Sequence, residues 1–281
     1  MAVCSGASAI LSNGLKRAGV RPLRARLQDL RGRTVTIDLH SSVIARVDAM
    51  DPDRMRAARL AEPDIRDRLF ALYTFHAELA KIPELVREPM MGRIRYQWWR
   101  DCVEEIYGDG PVRQHEVSTP LAEMVAQTGL SRFHLDRIID GRERDLDPRP
   151  FGSVADATDY ADATSGALMT AALAVVGAEP AAAAGRAWGL TGLARSYRYY
   201  ADTMLKALPF AEIMAAAGEA YAQARGRYTA EAVPALAYAG LVPGYLKRMG
   251  KAGYAPREHA PEYGAFAKQV RMLRVAGSGR L

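Results

Sequence analysis

The sequence predicts an all-α helical bundle, and three observations carry that prediction. Apolar residues recur at three- and four-residue spacing over much of residues 62–205, prolines and glycines fall between those stretches, and no run alternates at strand length outside Thr34 to Ile37. The composition agrees: 281 residues, 49% apolar and 25% charged, with alanine-rich windows and few β-branched runs, are enough to bury one large core.

Residues 1–46 read as a basic extension outside the fold. Within residues 1–37, Lys16, Arg17, Arg21, Arg24, Arg26, Arg31 and Arg33 face the single acid Asp29, so these residues hold the whole formal charge of +6 and leave the rest neutral. Scattered serines give it the composition of an organellar transit peptide, but Pro22 and the glycines interrupt any long amphipathic helix. A disordered tail or a miscalled start codon is therefore preferred. One domain is expected over residues 47–255, shortened after residue 200, with a tail over 256–281.

The body opens near Asp51-Pro-Asp-Arg54. A helix starts at Glu62-Pro63-Asp64, where proline fits the first helical position and acids favour the positive helix end. Ile65, Leu69, Leu72, His76 and Leu79 give it one buried stripe. Pro83 and Pro89 bracket a break, and a second helix from Gly92 places Ile94, Trp98, Cys102 and Ile106 four apart, ending at Gly108-Asp-Gly-Pro111. Helices over 118–128 and 131–145 follow. The second ends in the charged run Asp140 to Asp147, a solvated helix end in most proteins, before Pro148 and Pro150 force an extended link. Ser153-Val-Ala-Asp156 resembles a capping box ahead of a helix over 158–176, another covers 181–205, and shorter helices run to about 250.

Several functions are excluded or disfavoured. Outside its first 37 residues the chain has neither a basic face nor interleaved aromatics, so no nucleic-acid partner is expected. Cys4 and Cys102 belong to no metal-spaced pair or bridge framework, which fits a reducing compartment. The longest apolar stretch, Gly166 to Ala178, is shorter than the ~20 residues that span a bilayer. His76 lies on an apolar stripe with no second ligand at metal spacing and reads as a core histidine. Of Trp98 and Trp99, one belongs in the core and one at its edge. Arg95, Arg100 and Asp101 form either an internal polar cluster or surface pairs, and Tyr197, Tyr199 and Tyr200 either pack or close a cavity.

Two helical segments carry a more specific signal. Tyr73-Thr-Phe-His-Ala-Glu-Leu-Ala-Lys-Ile-Pro-Glu84 and Gly185-Arg-Ala-Trp-Gly-Leu-Thr-Gly-Leu-Ala-Arg-Ser-Tyr-Arg-Tyr-Tyr200 resemble the two Asp-rich motifs of the squalene and phytoene synthase family, over a likeness that covers roughly Asp51 to Tyr254. That resemblance implies an isoprenoid-synthase helical bundle. In the family, two prenyl diphosphates are joined head to head while aspartates hold Mg²⁺ against the leaving pyrophosphate, because a hard cation needs several carboxylate oxygens.

Laid on the first motif, Tyr73 matches, Ala77 stands at the arginine, Ala80 and Lys81 at the paired aspartates, and Glu84 at the last acid. Lys81 would put a positive charge where a divalent cation must sit. In the second motif Gly185, Ala187, Leu190, Thr191 and Arg195 match, whereas Gly189 and Gly192 replace amides and Ser196, Tyr199 and Tyr200 replace the acids. Tyr160 to Met169 resembles the family's cavity-lining helix, with Asp162 an added acid. The resemblance also implies a cavity or polar cluster from Glu78, Arg95, Gln97, Trp98, Asp101, Tyr160, Asp162, Gly166 and Met169.

The segments Phe75-His-Ala-Glu-Leu79, Ile94 to Asp101 and Ile139 to Asp147 are similar to the Asp-motif-deficient branch of that family, which includes a mitochondrial complex I assembly factor and its bacterial relatives. This likeness implies a protein without catalytic residues, metal or cofactor that works with complex I subunits or other assembly factors. It further implies peripheral membrane contact at a bacterial inner membrane or the matrix side of the mitochondrial one, and an isoprenoid or lipid in the old cavity. The shortened stretch after Arg195 implies an incomplete cavity wall. The alternative is a divergent Mg²⁺-dependent prenyltransferase using Glu78, Glu84, Asp101, Glu143, Asp145 and Asp162. Against it, no two of these acids stand four apart on one helix, the spacing the motifs use to share a cation.

Overall fold

The structure, a computed structural model, describes residues 37, 39–147 and 149–281. The basic segment 1–36, the greater part of the alternating run Thr34 to Ile37, and Pro148 lie outside the described residues. Within them the chain is helical, with no named strand and one isolated bridge between Arg227 and Arg280.

The helices are α1 (Ser41–Met50), α2 (Pro52–Ala58), α3 (Pro63–Lys81), α4 (Pro89–Tyr107), α5 (Ser118–Thr128), α6 (Arg132–Glu143), α7 (Val154–Ala161), α8 (Ala167–Val175), α9 (Ala182–Arg195), α10 (Tyr197–Tyr200), α11 (Phe210–Ala224), α12 (Val233–Leu236), α13 (Val242–Met249) and α14 (Ala265–Ser278). A 3₁₀ turn, Ile82–Leu85, follows α3, and another, Arg144–Leu146, follows α6.

Burial divides these helices by position. In α9 every residue from Ala187 to Leu193 except Gly192 is buried, so this helix runs through the centre rather than along a surface. Small residues let it do so: a Cβ at Gly185 would stand 2.7 Å from the Gly166 Cα, a separation only glycine against glycine allows. In α3, all residues from Leu69 to Ala77 are buried, so the expected single stripe is only the entry to a helix enclosed on all sides. The α4 helix instead keeps one buried face, of Gly92, Tyr96, Trp99, Cys102, Val103 and Ile106.

Several expected boundaries move. The second helix starts at Pro89 rather than Gly92, because proline occupies its first position, as also in α2 and α3. The predicted helix over 158–176 begins at Val154, capped by the Ser153 hydroxyl accepting from the Asp156 N–H. It is interrupted by a π segment, Asp162–Gly166. The helix expected over 181–205 stops at Arg195: Tyr197 is buried, donates its hydroxyl to the Leu208 carbonyl at 3.0 Å and packs on Phe210, which pulls the chain off the helix axis.

Helices also lie outside the expected domain limits at both ends. α1 begins within the expected extension, at Ser41, and buries Val43 and Val47. Beyond residue 255, where a tail was expected, α14 buries Met272 and Val275. It is held by Arg271 on the Gly240 carbonyl at 2.9 Å and by the Tyr228 N–H on the Gly279 carbonyl at 2.6 Å.

Candidate functional site

The two degenerate motifs meet across one cavity of about 430 Å³. The end of α3 and the turn after it contribute Ala80, Pro83 and Glu84, and α9 contributes Trp188, Gly189, Gly192, Leu193, Arg195 and Ser196. The junction of α1 and α2 adds Met50 to Arg54, the end of α6 adds Arg142, the 3₁₀ turn after it adds Asp145, and the π segment adds Thr164 and Ser165. A Cβ on Gly192 would touch nothing within 4 Å, so a side chain there would point into open space. On the side expected to lack a helix, Tyr200 at the end of α10 and Met204 in the turn after it line the cavity.

Three arginines, Arg54, Arg142 and Arg195, and four carboxylates, Asp51, Asp53, Glu84 and Asp145, set the chemistry of the walls. Arg54 is 5% exposed, pairs with the Asp51 carboxylate, donates to the Ser165 hydroxyl at 3.3 Å and lies over the Tyr238 ring. Burial opposes its charge, but Asp51 and Tyr238 more than offset that and leave its pKa raised. Arg142 donates to the Asp145 carboxylate at 3.1 Å and the Tyr160 hydroxyl at 3.3 Å, and that hydroxyl in turn donates to Asp145 at 2.6 Å. Behind it His76 Nε2 stands 2.9 Å from an Arg142 nitrogen. Burial, then Arg142 and Arg54, holds the imidazole well below its ordinary pKa, so it is a neutral acceptor. Arg195 stacks on Tyr245 and Trp188 and faces Asp53 at 3.9 Å.

These partners decide whether Mg²⁺ fits. Asp51 is taken by Arg54 and Asp145 by Arg142 and Tyr160. The 2%-exposed Asp53 is taken by Lys268 at 3.0 Å, Arg56 at 3.2 Å and the Tyr245 hydroxyl at 2.9 Å. Glu84 is the remaining wall carboxylate, and among the described residues no three His, Cys, Asp or Glu side chains are grouped to hold a metal. A divalent ion would have to displace guanidinium groups and sit beside them, so the donor set does not fit it.

Other sequence-derived candidates fall in different places. Tyr73 and Ala77 are buried behind the cavity wall. Lys81 turns away to Glu78 at 2.7 Å, so the cations at the cavity are Arg54, Arg142 and Arg195 rather than this lysine. Tyr199 is 64% exposed. Glu78, Arg95 and Trp98 border a separate groove, and Gln97 donates to Asp101 at 2.8 Å on the surface. Arg100 pairs with Asp140 and Glu143 rather than with Asp101.

Asp162 pairs with Arg186 at 2.6 Å, with Gly166 on a small groove beside it, and Met169 is buried. Of the implied polar cluster, therefore, only Tyr160 reaches the cavity. A larger, open groove of about 800 Å³ lies between Phe133 and Phe151, and among the motif and cluster residues only Tyr160 borders it.

Arg54 and Arg142 were missed as site residues. Their signal was present in Asp51-Pro-Asp-Arg54 and in Arg142 three residues before Asp145. Yet a helix start and a charged helix end look alike whether they face solvent or a cavity.

Among the described residues, no helix is long and apolar enough to cross a membrane. Cys102 is buried, and burial pushes its thiol up to about 12, so it offers no nucleophile.

The all-α bundle, with two motif helices facing one cavity, defines an isoprenoid-synthase type of protein. A crystal structure of a dehydrosqualene synthase superposes with a TM-score of 0.67 over 84% of this chain and 96% of the other, at 14% identity, which shows the shared fold. The sequence profile of the squalene/phytoene synthase family matches residues 47–217, more than half of the chain, and the protein belongs to that family. Within it the chain is 33% identical over 145 residues to the complex I assembly factor 6 of Mus musculus, and 31% over 156 residues to that of Homo sapiens. These stretches are 50% and 53% of this chain and 43% and 46% of the relatives, so the match spans less than half of their length. A homologue from Dictyostelium discoideum is 22% identical over 139 residues, 49% of this chain and 39% of the other.

Proposed function

We propose that the protein is a non-catalytic member of its family that assists assembly of respiratory complex I, working with complex I subunits or other assembly factors beside the membrane that holds the complex. One observation carries the reading: the carboxylates around the cavity, Glu84 excepted, are already neutralised by arginine, lysine and tyrosine side chains, so no ligand set remains for the cation that pyrophosphate departure needs. The curated relatives, named as complex I assembly factors, support the same direction.

The cavity keeps a use under this reading. Its apolar members Met50, Ala80, Trp188, Leu193 and Met204 suit a segment of isoprenoid or lipid chain, while Arg54, Arg142 and Arg195 suit its polar end. No metal or cofactor is part of the proposal.

The competing reading, a head-to-head prenyltransferase, rests on family membership and on Glu84. Calorimetric titration with farnesyl diphosphate separates the two. We expect no heat that requires Mg²⁺ and no pyrophosphate release, and magnesium-dependent turnover would overturn the non-catalytic reading. In the source organism, deletion of the gene is expected to lower the abundance of assembled complex I, and unchanged abundance would remove the assembly role.

A further inference from the structure

The α4 helix carries two apolar faces, and only one is used by the core. Opposite Tyr96, Trp99 and Val103, the side chains Met90, Met91, Ile94 and Trp98 lie within an arc of about 100° on the helical wheel. They are 61%, 51%, 55% and 36% exposed, and Leu85 in the preceding turn is 59% exposed. A shallow groove of about 360 Å³ runs between Leu85, Ile94 and Trp98. Such a cluster is costly to leave in water and marks a surface that meets something apolar.

The charges around it indicate what that is. Arg93 and Arg95 flank the apolar arc on either side and Arg87 precedes it. All three are exposed, and none has an ion-pair or hydrogen-bond partner among the described residues. Residues 85 to 98 hold a single acid, Glu88, and Glu78 on the groove wall is paired with Lys81. Elsewhere on the surface arginines are mostly paired, as Arg100, Arg113, Arg132 and Arg149 are. An apolar strip containing tryptophan and bordered by unpaired arginines has the chemistry of a helix that lies in the interface of an anionic bilayer. Its side chains would enter the acyl boundary, and guanidinium groups on long stems would reach the phosphates.

We propose that this face, Leu85 to Trp98, docks the protein on a membrane surface rich in anionic phospholipid. The proposal gives the membrane-side location above a physical means, but rests on α4 and not on the cavity or on any client. Vesicle binding and complex I abundance can therefore fail separately.

The test uses the full chain and vesicles of phosphatidylcholine alone or mixed in equal parts with phosphatidylglycerol, some carrying brominated acyl chains. Wild type is expected to sediment with the mixed vesicles, to be released by salt, and to show quenching of tryptophan emission by the brominated chains. Ile94→Glu and the double change Arg93→Glu with Arg95→Glu, both at exposed positions and checked by circular dichroism, should each weaken binding about tenfold or more. Trp98→Phe should still bind but lose most of the quenching, since Trp99 and Trp188 are each 5% exposed. Absence of vesicle binding would overturn the proposal and leave the face to a protein partner. Binding that survives both charge variants, or occurs without quenching, would overturn it in favour of another segment such as the basic residues 16–33.

Discussion

His76 is 6% exposed, with Nε2 against the guanidinium of Arg142, and the pair is compatible only while the imidazole is neutral. The unfolded chain takes up a proton near the ordinary value of 6.5 and the folded protein resists it, so the unfolded state binds more protons as pH falls. Stability from this group is thus full above about pH 6.5 and declines below it by up to about 1.4 kcal/mol per unit. Urea unfolding at successive pH values between neutral and mildly acidic should show this slope, reduced in His76→Gln, whose amide oxygen still accepts from Arg142. At Tyr73 the expectation differs, because its buried hydroxyl finds no hydrogen-bond partner among the described residues. Tyr73→Phe should leave the unfolding free energy unchanged or raise it by about 1 kcal/mol, which denaturant titration would detect.

At the scale of elements, two glycines that look alike in sequence behave in opposite ways. A Cβ on Gly141 in α6 would collide with the Ala163 carbonyl in the π segment, whereas one on Gly192 in α9 meets open cavity. Gly141→Ala should therefore lower the melting temperature by several degrees, for a loss of about 2 kcal/mol or more. Gly192→Ala should raise stability by about 0.5–1 kcal/mol through helix propensity while narrowing the cavity. Calorimetric melting of the two variants checks both.

The same scale explains which helices were legible. The limits of α5 are readable because Gly129, in the left-handed region at φ 66°, ends it locally. The end of α9 is not readable, because a distant contact of Tyr197 with Leu208 and Phe210 sets it. Ile94 and Trp98 satisfy the four-residue spacing of a buried stripe, yet the core takes the other face of α4. Periodicity identifies an apolar face but not which of two faces meets the core.

Over the whole molecule, Asp53 ties α2 to the last two helices, α13 and α14. Its carboxylate, 2% exposed, accepts from Arg56 in α2, Tyr245 in α13 and Lys268 in α14. Removing residues 256–281 would strip Lys268 from a buried acid and expose the partners of Met272 and Val275, each worth about 1.5–3 kcal/mol of burial. The truncated chain is expected to melt well below the intact one or not to fold cooperatively, and a two-state transition at the original temperature would contradict this.

The sequence by itself determined the helical class, the family, and the loss of the motif acids at Ala80, Lys81, Ser196, Tyr199 and Tyr200, since each is a local property of residue type and spacing. Tertiary structure alone decided what occupies the electrostatic centre in their place. Arg54 and Arg142 stand 88 residues apart in the chain. Only the packing of α2, α6 and α9 around one space turns two ordinary helix-end arginines into cations of one cavity. Charges act through distance in space, and sequence records only distance along the chain.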